Sequence, residues 1–221
     1  MVAPSRSGQL NLSIRRKYQR GVLILALRIL HDAWPSTVAD SRVSKTTDED
    51  SISDVLRWKM VDAKNRLDPV PEMQFLREPQ SDRAELDTPL GLIDIMVSYT
   101  WDESTYLTME CKRITSTDNS LALKYVRKGI NRFASGKYSP GHAFGIVVGY
   151  VICGNPDGCV DRVSKTLASE PESETGYDSG FGWQVDKEFA EGCELYKSRH
   201  HQQAHQNTIE LFHCFLTLNL S

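Results

Sequence analysis

The sequence predicts an α/β protein with a central mixed β-sheet flanked by helices. Two helical segments come first, three strand-like segments follow, and a further helix then separates these from a nearly all-apolar strand. Strands that follow one another directly favour antiparallel pairing, whereas a helix between two strands favours a parallel crossover. The 221 residues are enough for one such domain with a sizeable core.

The first two expected elements are helices. Arg15–Trp34 has helical periodicity and is expected to end at Pro35, so that Ser36–Thr47 forms a Ser/Thr-rich linker. A second, amphipathic helix is expected over Asp48–Leu67, because apolar residues recur there at helical spacing and acidic residues begin it. We expect Thr47 to be the N-cap of that helix.

Five segments beyond the second helix have the composition of β-strands. They are rich in Ile, Val, Tyr or Phe, and turn-forming or charged residues bound them. In chain order they are Met73–Arg77, Gly91–Tyr99, Thr105–Arg113, Ala143–Cys153 and Thr208–Leu220. The second and third are expected to form a hairpin around a turn at residues 100–104, and the fourth is apolar enough to be covered on both faces.

Two more helices and a loop are expected between these strands. Asn119–Ser135 is expected to be a helix that is basic on one side, and Asp157–Ser169 is expected to be another helix. Glu170–Gly182 is acidic and rich in Gly and Ser, which is typical of a loop.

The charge balance limits the classes of protein that fit. The formal net charge is −3, from 26 Lys and Arg against 29 Asp and Glu. The chain therefore has no overall basic field, which argues against a free-standing, high-affinity DNA-binding protein. An enzyme whose cationic residues are concentrated at one groove remains compatible with this charge.

The cysteines and an apolar run near the N-terminus bear on location. The five cysteines are widely scattered and form no CxxC pair, which indicates reduced thiols in a cytoplasmic protein. Val22–Leu27 is apolar, but Arg28 ends the run far short of a membrane span, and no signal-peptide cleavage pattern follows. We expect a cytoplasmic protein without a membrane partner.

Three ionisable residues occur within the expected hairpin. Asp94 is surrounded by Leu, Ile, Met and Val, and a carboxylate there costs several kcal/mol unless it is paired or binds a cation. Glu110 and Lys112 lie two residues apart near the end of the next strand, so they point to the same face. If the two strands pair, Asp94 can share that face.

Such a cluster suits phosphodiester hydrolysis. Two carboxylates and the phosphate oxygens of a substrate can hold Mg²⁺, which prefers oxygen ligands. The bound ion lowers the pKa of a water molecule and neutralises charge on the phosphate. A neighbouring ammonium can position the attacking water and stabilise the transition state.

The run LGLIDIMVSYTWDESTYLTMECKRI, Leu90 to Ile114, resembles the core of the PD-(D/E)XK nucleases, a hairpin with Asp on the first strand and Glu-x-Lys on the second. In that family a helix that often contributes a glutamate precedes the hairpin, and a helix and a further strand follow it. The resemblance covers residues 48–153 and implies a restriction-endonuclease-like core. Residues 1–47 would then be an N-terminal helix and polar linker, and residues 154–221 a C-terminal extension packing on the same domain.

The resemblance implies a role for each site residue. Asp94 and Glu110 would bind Mg²⁺, which Mn²⁺ can replace, and Lys112 would orient the attacking water. The backbone carbonyl of Cys111 would complete the metal shell, and Glu49 on the preceding helix would be a further ligand.

The sequence departs from the family pattern at two points. Ile93 stands at the position of the family's proline, which changes nothing chemically. Asp50 and Asp54 compete with Glu49 for the role of the helix carboxylate.

The resemblance implies an endonuclease that cleaves phosphodiester bonds in nucleic acid, with double-stranded DNA as the expected substrate and RNA as an open alternative. Because no separate DNA-reading motif accompanies the core, we expect an effector subunit of an anti-phage defence or DNA-processing complex. Its partner would be a protein such as an ATPase subunit, or further copies of the chain.

The rival hypothesis is a catalytically inactive module of the same fold that binds nucleic acid or a partner protein. The expected nucleic-acid-binding residues are Lys124, Arg127, Lys128 and Arg132.

Structural alternatives accompany these assignments. The acidic residues and Lys112 would otherwise form a structural ion pair or a solvated sheet edge, and the basic helix would be a solvated face. We expect Tyr125 to fill the core rather than to stack on a base. We also expect Cys111 to be buried and inert.

The C-terminal histidines suggest two other sites, both of which we disfavour. His201 and His205 are spaced for one helical face, but no further ligand at suitable spacing completes a zinc site. Ser198 and His200 suggest a hydrolase pair, but no nucleophile elbow accompanies them. His213 lies in an apolar segment, which is typical of a hydrogen-bonded core histidine.

Overall fold

A mixed β-sheet forms the centre of the computed structural model, which describes residues 6–77, 92–99, 106–186, 195–202 and 205–218. Within those ranges the sheet has seven strands. They are β1 (Gln74–Arg77), β2 (Ile95–Ser98), β3 (Tyr106–Thr115), β4 (Phe144–Cys153), β5 (Gln184–Asp186), β6 (Leu195–Gln202) and β7 (Asn207–Thr217).

The sheet has the spatial order β1-β2-β3-β4-β7-β6-β5. The first three strands pair antiparallel, as expected for strands that follow one another directly. β3 pairs parallel with β4, and β4 pairs parallel with β7. The remaining pairs, β7 with β6 and β6 with β5, are antiparallel. The predicted mixed sheet is therefore confirmed.

Helices cover both faces of this sheet. They are α1 (Arg6–Val38), α2 (Glu49–Asn65), α3 (Asn119–Lys124), α4 (Asn131–Ala134), α5 (Pro156–Ser169) and the single-turn α6 (Glu172–Thr175). α1 and α2 pack on one face, while α3, α4 and α5 pack on the other. Within the described ranges no helix combines the length and the apolar character that a membrane span requires.

The apolar segments predicted as strands bury both of their faces where they cross the middle of the sheet. In β4 only the last two residues are more than marginally exposed, which confirms that this strand is covered on both sides. Trp34 of α1 stacks on Tyr150 of β4 with ring centroids 5.6 Å apart, and its indole nitrogen donates to the carbonyl of Thr217, 3.0 Å away. The sheet and its first helical layer are thereby fixed to each other.

The first helix extends beyond its expected bounds, Arg15–Trp34, at both ends. α1 begins at Arg6, and it does not end at Pro35 but continues to Val38. The hydroxyls of Ser36 and Thr37 donate to the carbonyl of Ala33. Proline removes one backbone N–H from the helix, and these two side-chain bonds add further links within its last turn. The helix therefore continues past Pro35.

The N-cap of α2 is Asp48 and not Thr47. The Asp48 carboxylate accepts from the backbone N–H and the hydroxyl of Ser51, at 2.9 and 2.8 Å. The Thr47 hydroxyl instead donates to the carbonyl of Arg42 and accepts from the N–H of Ser44. Thr47 therefore closes the turn before the helix, and the carboxylate, which suits the helix dipole, caps it.

Two strands and a helical turn were missed in the C-terminal third. Neither β5 nor β6 was predicted, and the expected loop over residues 170–182 contains α6. The alternation of apolar and polar residues does not indicate β6, because three of its buried side chains are polar, namely Ser198, His200 and Gln202. The expected strand at 208–220 is confirmed over the residues of β7, whereas the expected turn at 100–104 lies outside the described residues.

The helix expected at 119–135 is present but irregular. Between α3 and α4 the chain forms a π-helical segment, Tyr125–Ile130, in which the backbone bonds reach one residue further than in an α-helix. Such segments displace the following residues around the helix axis. The orientation of residues after Ile130 therefore differs from that of a regular helix.

A chain of hydrogen bonds crosses the core from α6 to this π segment. Its links are the Thr175 carbonyl to His200, His200 to Ser198, Ser198 to His213, and His213 to Tyr125, with heavy-atom distances of 2.7–3.0 Å. Because a carbonyl only accepts, His200 must donate from Nδ1. In a neutral His200, Nε2 then accepts from the Ser198 hydroxyl. Each group therefore donates to the next, from Tyr125 through His213, Ser198 and His200 to the Thr175 carbonyl.

All four side chains of this chain are fully buried, so a charged histidine is unfavourable there. Burial lowers the pKa of His200 to about 4, and burial lowers the pKa of His213 well below its ordinary value. Tyr125 and His213 are core residues, as predicted. The Ser198–His200 pair is closed to a substrate for the same reason.

The first testable expectation concerns pH. Between pH 6.5 and about 4 an unfolded chain binds a proton at position 200 that the folded chain does not, so the free energy of unfolding falls as the pH falls through this window. The slope is at most about 1.4 kcal/mol per pH unit for each histidine. We expect urea denaturation to show a stability difference between wild type and His200→Gln that shrinks or reverses from pH 7 to pH 5.

The stability difference between wild type and His200→Gln isolates the contribution of His200, because both proteins contain the carboxylates that titrate in the same range. His31→Gln changes an exposed histidine on α1 and is the matched control for the substitution. A difference between wild type and His200→Gln that stays constant from pH 7 to pH 5 would contradict the buried neutral state.

Candidate active site

Residues from α2, from the start of β2 and from β3 meet at one place. The β2–β3 register pairs Ile95 with Met109, and one further step places Asp94 opposite Glu110. Since strand side chains alternate, Lys112 emerges on the same face as Glu110, toward the π segment and α4. The structure therefore brings together the three ionisable residues that the sequence singled out.

Asp94 lies in a bend one residue before β2, not inside the strand as expected. Its Oδ2 accepts from the backbone N–H of Cys111, 2.7 Å away, and Arg77 donates to its backbone carbonyl at 2.6 Å. These two bonds hold Asp94 where the β2–β3 backbone pairing has ended, and they orient its carboxylate toward β3. Burial raises the pKa of Asp94 above its ordinary value.

Glu110 is fully buried at the centre of the cluster. Its Oε1 lies 2.6 Å from Lys112 Nζ and 2.8 Å from Arg132 Nη1, whereas its Oε2 has no hydrogen-bond partner among the residues that the structure describes. Burial, followed by the negative charge of Asp94, raises the pKa of Glu110 to about 8, although the two cations oppose the shift. A buried oxygen without a donor is a position that a bound cation would satisfy.

Lys112 carries the cation at the middle of these oxygens. Besides Glu110, its ammonium lies 2.7 Å from Glu49 Oε1 and 3.7 Å from Asp94 Oδ2, and it donates to the carbonyl of Cys111 at 2.6 Å. Burial alone would lower the pKa of Lys112, but the surrounding carboxylates outweigh it and raise this pKa. Lys112 is therefore held as an ammonium.

Glu49 is the carboxylate of α2 that enters the cluster. It is the first residue of the helix, and its Oε2 accepts from the backbone N–H of Arg113, 3.0 Å away, so the helix start is tied to β3. Asp54 instead pairs with Arg77 at 2.7 Å, and Asp50 is exposed at the rim. Among the three acidic residues that compete for this role, Glu49 alone reaches Lys112 in the described structure.

The four basic residues expected on one side of the helix do not act together. Arg127 forms a two-bond pair with Glu170, at 2.7 and 3.1 Å, and Lys124 and Lys128 are exposed. Arg132 turns into the cluster and binds Glu110. The four residues therefore do not form one free basic face, because Arg127 and Arg132 each pair with a carboxylate. Binding of nucleic acid by these residues stays a prediction.

A polar cleft of about 380 Å³ opens over the cluster. Its lining residues are Glu49, Asp50, Leu92, Asp94, Lys112 and Arg132. Three carboxylates and two cations in one cleft can bind both a cation and an anion. A phosphate with an accompanying metal ion supplies that combination.

The oxygen donors fit Mg²⁺ in chemical type. The carboxylates of Glu49, Asp94 and Glu110 and the Cys111 carbonyl are hard ligands of the kind that this ion prefers. The cation held in the structure is the Lys112 ammonium, and in the described part of the chain no three His, Cys, Asp or Glu side chains form a ready metal cage. A divalent ion at these oxygens would therefore compete with Lys112.

Two residues of the site were not predicted. Arg77 donates to the Asp94 carbonyl from β1, and Tyr138 accepts a hydrogen bond from Arg132. Neither belongs to the Asp and Glu-x-Lys motif, and each comes from a different part of the chain. Only the tertiary contacts reveal them.

The other candidates have structural roles or separate surroundings. The thiol of Cys111 is fully buried, and burial raises its pKa, so it is inert as expected. His201 lies on β6 and His205 in a short turn, so they do not share a helical face. In the described ranges, no group of metal-ligating side chains includes either one.

The second testable expectation concerns the stability of the cluster. Lys112→Met removes the central cation and leaves three carboxylates facing one another, so we expect the free energy of unfolding to fall by about 3 kcal/mol. Adding Glu110→Gln to that variant removes a buried carboxyl that has lost one of its two cations, and it should recover part of the loss. Urea denaturation of the single and double variants measures both effects.

Lys165→Met is the control, because Lys165 pairs with Asp161 on the exposed side of α5. We expect a change below about 0.5 kcal/mol for this surface pair. A Lys112→Met variant as stable as the control would show that the carboxylates do not need the ammonium.

Comparison of the chain with protein-family models, with curated proteins and with solved structures found no match in any of the three. The function must therefore be inferred from the geometry and chemistry of this cluster.

Proposed function

We propose that this chain is a Mg²⁺-dependent endonuclease of the PD-(D/E)XK type, acting on DNA. The observation that carries the proposal is the convergence of Asp94, Glu110 and Lys112, with Glu49, at one buried cluster beneath an open cleft. Buried carboxylates are unfavourable unless they are compensated, so their concentration at a cleft favours a role in binding.

The order of elements supports a restriction-endonuclease-like core. Helix α2, with Glu49 at its start, precedes the antiparallel strands β1 to β3, and the helix of residues 119–134 then leads to β4, which pairs parallel with β3. This is the order that the resemblance of Leu90–Ile114 implies. The Asp lies beside the first strand of the hairpin, and Glu-x-Lys lies on the second.

The site residues would divide the work of hydrolysis. Asp94, Glu110 and Glu49, with the Cys111 carbonyl, would hold Mg²⁺, or Mn²⁺ in its place. The ion, when bound, lowers the pKa of a water molecule and offsets charge on the phosphate. Lys112 donates hydrogen bonds and would orient the attacking water, and its raised pKa keeps it a donor rather than a base.

Cations near the cleft support a polyanionic substrate. Burial lowers the pKa of Lys137, and the charges of Arg132 and Lys128 lower it further, so these two residues lie close to Lys137. Although the whole chain has a net charge of −3, three cations therefore lie close together here. A nucleic-acid backbone running past the cleft would meet them.

We propose further that the protein acts in the cytoplasm as the effector subunit of an anti-phage defence or DNA-processing complex. The weak positive field predicts weak unaided binding to DNA, because sequence-independent affinity depends on the number of phosphates neutralised. A partner such as an ATPase subunit, or further copies of the chain, would supply the missing affinity. The mass of the purified chain in solution, alone and with DNA, tests self-association.

A catalytically inactive module that binds nucleic acid or a partner is the second candidate. The observation that favours it is the compensation of the carboxylates by Lys112 and Arg132, which gives the cluster a structural explanation without any metal. The two candidates differ in whether a divalent ion displaces the ammonium.

The third testable expectation is cleavage. We expect the purified chain to nick or linearise plasmid DNA in Mg²⁺ or Mn²⁺ and not in EDTA, with duplex, single-stranded and RNA substrates compared side by side. Asp94→Asn and Lys112→Met should each lower kcat/KM by about 100-fold or more. Asp161→Asn, an exposed carboxylate on α5, is the matched control.

Activity that survives Asp94→Asn would exclude this site as the origin of cleavage. Binding of DNA without cleavage by the wild type, in either metal, would favour the inactive module instead.

The fourth testable expectation concerns DNA affinity. Replacing Lys124 and Lys128 with Gln should weaken binding of a labelled duplex and should reduce the slope of log K against log salt by about 2, because each lysine is expected to neutralise about one phosphate. Lys165→Gln, on α5, is the charge-matched control. An unchanged slope would leave the two lysines as an ordinary solvated face.

A further inference from the structure

We propose that Arg132 is a catalytic residue that stabilises the negative charge growing on the scissile phosphate during cleavage, and that Tyr138 is the residue that positions it. This inference rests on the proposed function. It separates Arg132 from Lys124 and Lys128, whose expected contacts are with the phosphate backbone outside the reaction centre.

The contacts of Arg132 place it in the reaction centre. Its Nη1 donates to Glu110 Oε1 at 2.8 Å and to the hydroxyl of Tyr138 at 2.6 Å. In the described part of the chain the N–H groups on its Nη2 and Nε have no hydrogen-bond partner, and Arg132 lines the cleft. One edge of the guanidinium is thus fixed, while other donors remain available for a ligand.

Tyr138 fixes that orientation from two sides. Its hydroxyl accepts from Arg132 and donates to the carbonyl of Leu92, two residues before Asp94. The guanidinium also lies over the Tyr138 ring, 5.2 Å from its centroid. Tyr138 therefore links Arg132 directly to the segment that carries Asp94.

The loop that carries Tyr138 is anchored by a buried amide from β6. Gln202 is fully buried, and its Nε2 donates to the carbonyls of Phe133 and Ser139, at 2.9 and 3.1 Å. Its Oε1 accepts from the N–H of Gly141 at 3.0 Å. Three bonds from one side chain hold both ends of the loop, which is the pre-organisation that a catalytic arginine requires.

The π segment gives a separate reason for the position of Arg132. In a regular α-helix residue 132 would lie almost in line with residue 125, because seven residues complete nearly two turns. Tyr125 is fully buried, so that direction leads into the core. The extra residue in the π segment shifts Arg132 by about 100° from this direction. The structure places its guanidinium beside Glu110 and the cleft.

A guanidinium suits the chemistry proposed here. In hydrolysis the oxygen of water bonds to phosphorus, one P–O ester bond breaks, and the leaving oxygen takes a proton. Negative charge grows on the non-bridging oxygens as this happens, and the planar N–H groups of arginine can bind two of them at once. Arg132 would transfer no proton itself.

The test compares three variants with wild type, and it measures kcat and KM for cleavage separately from the Kd of a labelled duplex in EDTA. Arg132→Met should lower kcat by about 100-fold or more, as expected for loss of a donor to the transition state, while Kd and its salt slope stay near wild type. Arg132→Lys should recover only part of kcat, because lysine does not reproduce the paired donors. Tyr138→Phe keeps the charge but loses the positioning bonds, and should lower kcat about 10-fold or more.

Lys128→Met and Lys165→Met complete the design. Lys128→Met should raise Kd and reduce the salt slope, whereas Lys165→Met should change nothing. If Arg132→Met behaves like Lys128→Met, or keeps the wild-type kcat, the inference is wrong. Should Arg132→Met fail to fold by circular dichroism, Arg132→Lys and Tyr138→Phe decide, and wild-type kcat in both overturns it.

Failure of the proposed function gives a different result. A wild-type protein that cleaves none of the substrates overturns the nuclease proposal and this inference together. A wild-type protein that cleaves, with variants that cleave equally well, overturns only the role of Arg132.

Discussion

The buried carboxylate of Glu110 and the two cations that share its Oε1 are the interaction on which the site depends. An isolated carboxylate at such a depth costs several kcal/mol, so its compensation must be specified by the rest of the chain. Lys112 provides one charge from the same strand, and Arg132 provides the other from α4. These cations then fix the side chains of Glu49 and Tyr138 through their remaining donors.

The position of Arg132, and hence the compensation of Glu110, also depends on the C-terminal third of the chain. β7 lies between β4 and β6, so residues beyond 154 supply three adjacent strands of the sheet, including one edge, and not merely a cover. Gln202 on β6 holds the loop that carries Tyr138, and Ser198 and His200 on the same strand join the hydrogen-bond chain to Tyr125 in the π segment. The helix that carries Arg132 is therefore supported from a part of the chain that contains none of the motif residues.

The electrostatics of the cluster explain why two functions are compatible with one geometry. Without a metal ion, the ammonium of Lys112 bonds to two carboxylates and a carbonyl, which stabilises the fold. A divalent cation would compete for those oxygens and release the ammonium toward the cleft, where it could act on water or phosphate. Under the proposed function, structural compensation and catalysis would use the same atoms, and the balance between them would depend on the relative affinity of the two cations.

Much of the fold and part of the site were determined by local sequence. The apolar run of β4, the helical spacing of α2 and the alternation that puts Glu110 and Lys112 on one face are properties of short segments, because strand and helix periods repeat within a few residues. The tertiary structure alone decided that polar β6 is a buried strand, that Glu49 and not Asp50 or Asp54 joins Lys112, and that Arg132 pairs with Glu110. Each of these outcomes depends on a hydrogen-bond or charge partner that is distant in sequence, and such a partner leaves no local periodicity in the chain.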